Sequence, residues 1–221
     1  MSTYFNIKKK LDHFVLDIEY GFESGILVIL GESGAGKTTL LNCISGLLPP
    51  DQGRVEIGGR VVFDSDDGIN VPTRLRNIGY LFQNYALFPN MSVEDNIYYG
   101  IRNKKEYKDR EKRKELISYS EYIMKTFGIY HLRKKYPKHI SGGEKQRVAL
   151  SRAIVTKPNL LLLDEPFSAL DEDTKQVIYN EFTLFKQLFN IPTILITHNK
   201  RECELFADHM IVIKNGKLEN P

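Results

Sequence analysis

With 221 residues, 42% of them hydrophobic, the chain is long enough for one sizeable domain, or one domain with a small inserted lobe, without disulfides or a structural metal. The formal net charge of +3 is weak and argues neither for nor against a surface that coats nucleic acid. Residues 1–10 contain no apolar signal core, and no run approaches the roughly 18 apolar residues of a membrane-spanning helix, so we expect a soluble chain that meets a membrane only through a partner.

The two cysteines, Cys43 and Cys203, lie far apart in apolar or helical surroundings. Their number and spacing exclude a disulfide framework and a cysteine metal cluster. We therefore expect two buried free thiols, as in a protein of the reducing cytoplasm.

The first predicted elements are two strands and a helix. Residues 14–19 place apolar side chains at every second position, which is typical of a half-buried strand. The unbroken apolar run Ile26–Leu30 predicts a strand covered on both faces. A glycine-rich turn follows, and residues 38–47 then favour a helix that Pro49 stops.

The middle of the chain combines a hairpin with a polar helical region. Residues 53–63 form two alternating runs around Gly58-Gly59, which predicts a tight hairpin. Residues 92–137 favour helices. Within them, residues 102–115 hold eight Lys or Arg and four Asp or Glu, which we interpret as a solvated helix face or loop.

The remaining pattern alternates strands and helices. Strands are predicted at residues 77–82, 160–163, 193–197 and 210–213, with a short return after Asn215-Gly216, and helices after Ser141 and at residues 174–189. Strands separated by helices form a parallel sheet with helices on its faces. The predicted fold class is therefore α/β, a mostly parallel sheet flanked by helices, with an N-terminal antiparallel β lobe.

The glycine-rich turn between the strand at Ile26–Leu30 and the next helix fits the pattern G-x-x-x-x-G-K-[ST]. Its residues are Gly31, Glu32, Ser33, Gly34, Ala35, Gly36, Lys37 and Thr38, with Thr39 adjoining, and we call residues 31–38 the phosphate turn. Such a turn aims backbone N–H groups and a helix dipole at phosphate oxygens. Lys37 is expected at the β- and γ-phosphates, and the Thr38 hydroxyl at Mg²⁺. The alternative is a glycine-rich turn that carries a lysine by chance, but all fixed positions and both flanks match; the motif predicts NTP binding and nothing narrower.

A second apolar run, at residues 160–163, ends in Asp164 and Glu165. Asp164 is expected to hold Mg²⁺, through water, and Glu165 to polarise the water that attacks the γ-phosphate. An apolar run that ends in Asp-Glu is common by itself and usually just enters a loop. Downstream of a phosphate turn it is much more specific.

The run Ile140-Ser141-Gly142-Gly143-Glu144, here called the signature loop, precedes a predicted helix. By itself it predicts a capping box, in which the Ser141 oxygen caps the first turn and Glu144 reaches back. A helix N-terminus with two glycines also leaves bare N–H groups that suit an anion. Together with residues 145–153, and placed between the phosphate turn and Asp164, this loop resembles the signature of the ATP-binding cassette subunits of ABC transporters.

This resemblance runs over essentially the whole chain and implies a P-loop NTPase core with a helical subdomain inserted at roughly residues 84–157. It implies that ATP and Mg²⁺ are bound and that ATP is hydrolysed. In the family, the positions of Ser141, Gly142 and Gly143 serve the γ-phosphate of ATP on a second subunit, so that two ATP molecules are sandwiched between head-to-tail subunits. The family more commonly has Gln at the position of Glu144, whose carboxylate would lie near phosphate unless it turns back into the cap.

Further positions match the family by order and setting. Gln83 resembles the Q-loop residue, which touches Mg²⁺ or the attacking water and senses the membrane partner. Residues 168–171 resemble the D-loop that crosses the dimer interface, and His198 resembles the switch histidine that contacts the γ-phosphate. Taken singly, a Gln or His at a strand end is usually incidental. Phe14 is the candidate for stacking on adenine.

The resemblance also implies partners and a location. We expect a single ATPase domain over residues 1–221, working as a homodimer or as a heterodimer with a second cassette. It would bind integral membrane permease subunits at the cytoplasmic face of the cell membrane, as a peripheral subunit, and serve an extracytoplasmic solute-binding protein indirectly. No nucleic acid partner is expected. The chain stops soon after Lys217, so a C-terminal regulatory domain is either naturally lacking or truncated.

Two stretches, residues 62–80 and 87–97, resemble the importer ATPases for molybdate and their oxyanion, iron and polyamine relatives. Molybdate or tungstate is therefore the expected cargo, although cargo is chosen by the binding protein and permease. The alternatives are a cassette of a different importer, of an exporter or cell-division complex, or a soluble cassette ATPase that acts on DNA or ribosomes. The last usually carries a long coiled coil or two fused cassettes, which this sequence does not show.

Overall fold

The computed structural model describes residues 2–219, which divide into two compact units. The first unit contains residues 2–80, 159–165 and 185–219, and the second contains residues 81–158 and 166–184. The first unit carries the β-sheet, and the second is mainly helical. Across these described residues, no helix is both long enough and apolar enough to cross a lipid bilayer.

The described strands form one 11-stranded sheet. In chain order they are β1 (Thr3–Lys10), β2 (Val15–Phe22), β3 (Ile26–Leu30), β4 (Gln52–Ile57), β5 (Arg60–Asp64), β6 (Ile69–Asn70), β7 (Ile78–Leu81), β8 (Leu160–Asp164), β9 (Thr193–Ile196), β10 (His209–Lys214) and β11 (Lys217–Glu219). Across the sheet the order is β6-β5-β4-β1-β2-β11-β10-β3-β9-β8-β7.

Six α-helices accompany the sheet in the described part of the chain. They are α1 (Lys37–Ser45), α2 (Val93–Arg102), α3 (Arg110–Thr126), α4 (Gly142–Ile154), α5 (Glu172–Phe189) and α6 (Lys200–Phe206). Helices α1 and α6 belong to the first unit and α2, α3 and α4 to the second, while α5 runs from the second unit into the first. The α/β fold class is as predicted.

The antiparallel half of the sheet is built from β1, β2, β4, β5 and β6. The predicted hairpin is confirmed as β4 and β5, joined at Gly58 and Gly59, whose φ angles of 61° and 77° are those a tight two-residue turn needs. Strand β1 is absent from the predicted elements. Its Phe5 and Ile7 are nevertheless buried with the period of two that defines a half-buried strand.

The parallel half is formed by β10, β3, β9 and β8. The predicted apolar runs form β3, β8 and β9, which are buried along almost their whole length because neighbours cover both faces. Strand β11 joins the two halves, since it pairs antiparallel with β10 and parallel with β2 at Lys217 and Asp17. The antiparallel lobe is therefore continuous with the parallel sheet.

The second unit confirms a helical region after residue 92, but divides it. Helix α2 buries Val93, Ile97 and Ile101, which are spaced four residues apart on one face. A short 3-10 turn at Lys105–Lys108 separates α2 from α3. Residues 102–115 are mostly exposed, as predicted for a solvated run.

Helix α1 buries its apolar face in the core of the first unit. Leu40, Leu41 and Ile44 are fully buried there, together with Cys43. Burial raises the pKa of the Cys43 thiol to about 11, because the thiolate would lose its hydration. Cys203 is also buried and free, so the expectation of two buried thiols is confirmed.

The carboxyl end of α1 is closed by a buried arginine. The Arg76 side chain is 2% exposed, and its guanidinium donates to the carbonyls of Cys43 at 3.2 Å and Ile44 at 2.8 Å. It also donates to the carbonyl of Val71 at 2.8 Å and the side-chain oxygen of Asn70 at 3.1 Å. The last carbonyls of a helix have no partner within the helix, so Arg76 satisfies two of them and ties α1 to the segment before β7.

Replacing Arg76 with methionine should lower the free energy of unfolding by about 2 kcal/mol, because buried helix carbonyls lose their donors. Urea denaturation measures this change. Arg74 is the matched control, since it lies in the same turn but is exposed. Arg74→Met should change stability by about 0.5 kcal/mol or less. Equal effects of the two substitutions would contradict the capping role of Arg76.

Candidate active site

The register of three parallel strands places their carboxyl ends side by side. Ile196 of β9 pairs with Ile29 of β3 on one side and with Asp164 of β8 on the other. The ladder continues one residue further, because the amide of Thr197 donates to the Ile29 carbonyl and the amide of Glu165 donates to the Ile196 carbonyl. The chain therefore leaves all three strands at the same level, where ligands bind to open α/β sheets.

The phosphate turn leaves β3 at this edge, and two of its glycines are required by the geometry. A Cβ on Gly31 would lie 2.4 Å from the carbonyl oxygen of Ile213 in β10, so only glycine fits. Gly36 forms the N-cap of α1 with φ of 99°, in the left-handed region that favours glycine. Of the other predicted members, Glu32, Ser33 and Gly34 are exposed, Ala35 is buried, and Thr38 and Thr39 lie in the first turn of α1.

The first turn of α1 has the features of an anion site. Within the described structure, no side chain caps this helix at Gly36, and its first turn contains no acidic residue. The N–H groups of that turn and the positive end of the helix dipole are thus left for an anion. Lys37 is 6% exposed, and its Nζ donates to the carbonyls of Gly31 at 2.7 Å and Glu32 at 2.8 Å. The ammonium group is therefore held against the turn.

Thr38 and Asp164 form an oxygen pair beside the turn. The Thr38 hydroxyl donates to Oδ1 of Asp164 at 3.2 Å. Asp164 is 6% exposed, and this burial raises the pKa of its carboxyl, while the hydrogen bond from Thr38 acts in the opposite direction. A buried carboxylate next to a hydroxyl suits a hard cation such as Mg²⁺. Among residues 2–219, no group of three or more His, Cys, Asp or Glu side chains has metal-binding geometry.

Glu165 and His198 lie next to this pair. Nδ1 of His198 is 3.5 Å from Oε2 of Glu165, and the two side chains are 65% and 22% exposed. The backbone of Glu165 has φ of 46°, a left-handed conformation that is uncommon for glutamate. Strain of this kind tends to occur at functional sites, where the surrounding structure holds it in place.

Phe14 lies against the phosphate turn from the side of β2. Its Cε2 is 3.3 Å from the position that a Cβ on Gly36 would occupy. Its Cδ2 lies 2.5 Å from the corresponding position on Gly216, so both glycines make room for the ring. Phe14 is partly buried and precedes β2 by one residue.

The signature loop, in the second unit, forms the capping box that its sequence predicts. The Ser141 hydroxyl accepts a hydrogen bond from the Glu144 amide at 3.3 Å, and Oε2 of Glu144 accepts one from the Ser141 amide at 2.6 Å. The hydrogen bond from the Ser141 backbone lowers the pKa of the Glu144 carboxyl. The Glu144 carboxylate is thus turned back into the cap.

The two glycines of the signature loop have different surroundings. A Cβ on Gly143 would lie 3.0 Å from Cγ2 of Thr174 in α5, which leaves little room. A Cβ on Gly142 would be 3.7 Å from Cδ2 of Leu170, an ordinary contact. Leu170 belongs to the D-loop-like segment 168–171, so that segment packs against the signature loop within the second unit.

Gln83 lies in an exposed turn after β7. Two residues further on, Tyr85 and Ala86 have φ angles of 59° and 45°, both left-handed. The guanidinium of Arg152 in α4 donates to their carbonyls at 2.8 and 2.7 Å. Helix α4 therefore supports the segment that follows Gln83 within the second unit.

The family model described as ABC transporter matches residues 15–168, from the start of β2 through the phosphate turn, the signature loop and Asp164. The chain belongs to the ABC transporter family. The resemblance inferred from the phosphate turn and signature loop is thereby confirmed.

Curated relatives of this ABC chain include proteins named molybdenum import ATP-binding protein ModC. The one from Vibrio parahaemolyticus is 40% identical over 219 residues, which are 99% of this chain and 56% of that protein. The one from Vibrio vulnificus is 42% identical over 212 residues, 96% of this chain and 55% of that protein. The chain thus spans about half the length of the curated relatives it matches.

Solved structures agree with the fold. The "Dimeric Structure of MJ0796, a Bacterial ABC Transporter Cassette" has a TM-score of 0.78 and 25% identity, and the match covers 100% of this chain and 97% of that one. The cbiO1 protein of Clostridium perfringens, described as part of the ABC transporter complex cbiONQ, has a TM-score of 0.81 and 29% identity, with 99% and 86% covered. The predicted fold class is therefore confirmed.

The structure brings most of the predicted site residues of the first unit to one edge of its sheet: the phosphate turn, Asp164, Glu165 and His198. Gln83 and the signature loop lie in the second unit. The roles of all these residues remain predictions. Helix α6, which follows His198, was not among the predicted elements, and its buried Glu202 gave no signal because a charged side chain in a short polar helix looks solvated.

Replacing Asp164 with asparagine should stabilise the protein measured without nucleotide or Mg²⁺. Because burial raises the pKa of Asp164, the native state keeps its proton to a higher pH than the unfolded chain does. The free energy of unfolding therefore falls as the pH rises from the pKa of Asp164 in the unfolded chain to its higher pKa in the native state, and this loss persists at neutral pH. Asp164→Asn removes the ionisable group and with it this loss of stability. The melting temperature of the variant should therefore exceed the parent's, by more at neutral pH than at about pH 4.

Asp51 is a control of opposite sign. Hydrogen bonds from Lys9 Nζ and from the Lys10 amide lower the pKa of its carboxyl. Asp51→Asn should therefore lower the melting temperature at neutral pH and approach the parent in acid. A lower melting temperature for Asp164→Asn at neutral pH would contradict the burial argument.

Proposed function

We propose that this chain is the ATP-binding and ATP-hydrolysing subunit of an ABC importer. The observation that carries the proposal is the grouping at one sheet edge of the phosphate turn, the Thr38–Asp164 oxygen pair and the Glu165–His198 pair. These are the parts that phosphoryl transfer to water needs: a phosphate cradle, ligands for a hard cation, and a carboxylate that can orient water. One solved relative is described as a post-hydrolysis state bound to ADP and Pi, which supports hydrolysis as the reaction.

Each residue of the first unit has a defined task in this proposal. The backbone N–H groups of the phosphate turn bind the phosphates, and Lys37 offers its ammonium to the β- and γ-phosphate oxygens. Thr38 and Asp164 would hold Mg²⁺, which would supply positive charge to offset the charge that develops on the phosphates. Glu165 orients the attacking water, and His198 donates to the γ-phosphate.

We assign Phe14, Gln83 and the signature loop by the family resemblance together with their placement. Phe14 borders the phosphate turn and has an aromatic face for adenine. Gln83 is exposed at the end of β7, where a side-chain oxygen suits a metal or a water. Ser141 and Gly142 are exposed at the N-terminus of α4, which suits the γ-phosphate of nucleotide held by a second copy of the chain or by a second cassette.

The relatives support a proposal for the assembly and the cargo. One solved cassette similar to this chain is described as dimeric, and the curated relatives are named for molybdenum import. We therefore propose a dimer that binds integral membrane permease subunits at the cytoplasmic face of the membrane and is served indirectly by a solute-binding protein. The proposed cargo is molybdate or the similar anion tungstate. The names support an importer over an exporter, a cell-division complex or a nucleic-acid ATPase.

The variant Glu165→Gln should bind ATP normally but lose at least about a hundredfold in kcat, because glutamine keeps the shape of the side chain and cannot act as a base. It should also accumulate as an ATP-bound dimer, because the step that reopens the dimer is removed. Phosphate release, equilibrium ATP binding and size-exclusion chromatography measure these three effects. Glu23→Gln, at an exposed glutamate of the first unit, is the matched control and should behave like the parent.

The variant Lys37→Ala should instead lose ATP binding. The two variants together therefore distinguish nucleotide binding by the phosphate turn from hydrolysis. In cells that carry the matching permease, Glu165→Gln should abolish molybdate uptake, whereas Glu23→Gln should not. Hydrolysis by Glu165→Gln at the parental rate would contradict the proposed reaction. If Glu165→Gln abolished the uptake of a different solute and left molybdate uptake intact, the proposed cargo would be wrong, but the proposed reaction would stand.

A further inference from the structure

A buried carboxyl group lies behind the candidate switch histidine. Glu202 is 4% exposed and sits in the first turn of α6, four residues after His198. Charged side chains are rarely buried to this extent without hydrogen-bond partners, because the loss of hydration is costly. The partners of Glu202 are therefore informative about what holds this segment.

One partner is the hydroxyl of Thr197, the residue immediately before His198. Oγ1 of Thr197 donates to Oε2 of Glu202. Oγ1 of Thr197 also accepts a hydrogen bond from the amide of Asn199, the residue immediately after His198, at 3.0 Å. Thr197 is 2% exposed, so these bonds are shielded from water.

The backbone on both sides of His198 is tied to rigid elements. The amide of Thr197 donates to the carbonyl of Ile29 at 3.2 Å, two residues before the phosphate turn begins. On the other side, Asn199 caps α6, with its side-chain oxygen accepting from the amide of Arg201 at 2.9 Å. The amide of Glu202 in turn donates to the Asn199 carbonyl at 3.2 Å.

We propose that Glu202 and Thr197 are positioning residues that set the direction of His198 toward Glu165. This inference rests on the proposed hydrolytic function and deepens it. The His198 ring is 65% exposed, and the contact to Glu165 spans 3.5 Å, so few contacts of the ring itself define its position. Its direction is set mainly by the backbone of residues 197–199, and that backbone is held by the Thr197 hydroxyl between Glu202 and Asn199.

A small displacement of a catalytic side chain can slow the reaction strongly. Shifts of about 1 Å can reduce turnover by up to a hundredfold, while ground-state binding changes little. Loss of the Thr197–Glu202 bond should therefore lower kcat and leave the KM for ATP nearly unchanged, since the phosphate turn and Lys37 are not altered.

The decisive variants remove the Thr197–Glu202 hydrogen bond from either side, and loss of the Thr197 hydroxyl also removes the acceptor of the Asn199 amide. Thr197→Val is nearly isosteric but has no hydroxyl, and Glu202→Ala removes the acceptor. We expect each to lower kcat about tenfold or more, with KM for ATP within about twofold of the parent. Thr197→Ser and Glu202→Gln keep a donor and an acceptor, respectively, and should restore most of the rate. The double variant Thr197→Val/Glu202→Ala should be about as slow as Thr197→Val, because Thr197→Val already removes the bond that Glu202→Ala removes.

Thr193 offers a matched control in the same strand. It is fully buried at the opposite end of β9, and its hydroxyl donates to the Ile191 carbonyl at 2.8 Å. Thr193→Val should therefore cost a similar loss of thermal stability and leave kcat unchanged. A loss of kcat in Thr193→Val equal to that in Thr197→Val would show a general effect of destabilisation and overturn the proposal.

A second readout does not depend on turnover. The imidazole ¹⁵N signals of His198, assigned by their absence in His198→Gln, should shift in Thr197→Val and Glu202→Ala and remain at the parental position in Thr193→Val. If the parent hydrolyses no ATP, the proposed function fails, and these signals still decide the positioning role. Unchanged His198 signals, or kcat within about twofold of the parent in both Thr197→Val and Glu202→Ala, would overturn it.

Discussion

The alignment of β3, β9 and β8 is the constraint on which the rest of the site depends. Ile29, Ile196 and Asp164 are partners across neighbouring strands, so the residues that follow them emerge together. A shift of one residue in any of these strands would turn its side chains to the opposite face and move Asp164 away from Thr38. The buried apolar runs keep these three strands in the interior of the sheet, with neighbours on both sides. The pairing of these strands thus brings the side chains of the candidate site together.

The N-termini of α1 and α4 have contrasting electrostatics. At α1, within the described structure, no side chain caps the first turn, and Lys37 adds a positive charge beside it. At α4, Ser141 and Glu144 cap the helix, and the carboxylate is held by the Ser141 amide. The glutamate that departs from the usual family residue is therefore compatible with an anion at the signature loop, since its charge is engaged in the cap. This contrast supports our proposal that the first terminus holds phosphate and that the second complements a site on another cassette.

Much of this could be predicted from sequence, for reasons that differ between elements. The unbroken run of β3 and the glycine spacing that follows have few structural alternatives, so the phosphate turn was predicted along its whole length. Strand β1 was missed because its alternation is brief and ends in three lysines. Helix α6 is short and polar, and its existence depends on Asn199 as a cap and Glu202 as a buried anchor. The roles of such residues come from tertiary contacts that no local pattern encodes.

A crystal structure of the parent protein with a non-hydrolysable ATP analogue and Mg²⁺ would test the proposed site most directly. We expect phosphates within the turn of residues 31–38 and a metal at about 2.1 Å from the Thr38 hydroxyl, with the Asp164 carboxylate one water away. We also expect Ser141 of a second copy against the terminal phosphate. A metal bound away from Thr38 and Asp164, or a terminal phosphate with Ser141 of every copy facing solvent, would contradict the proposed site.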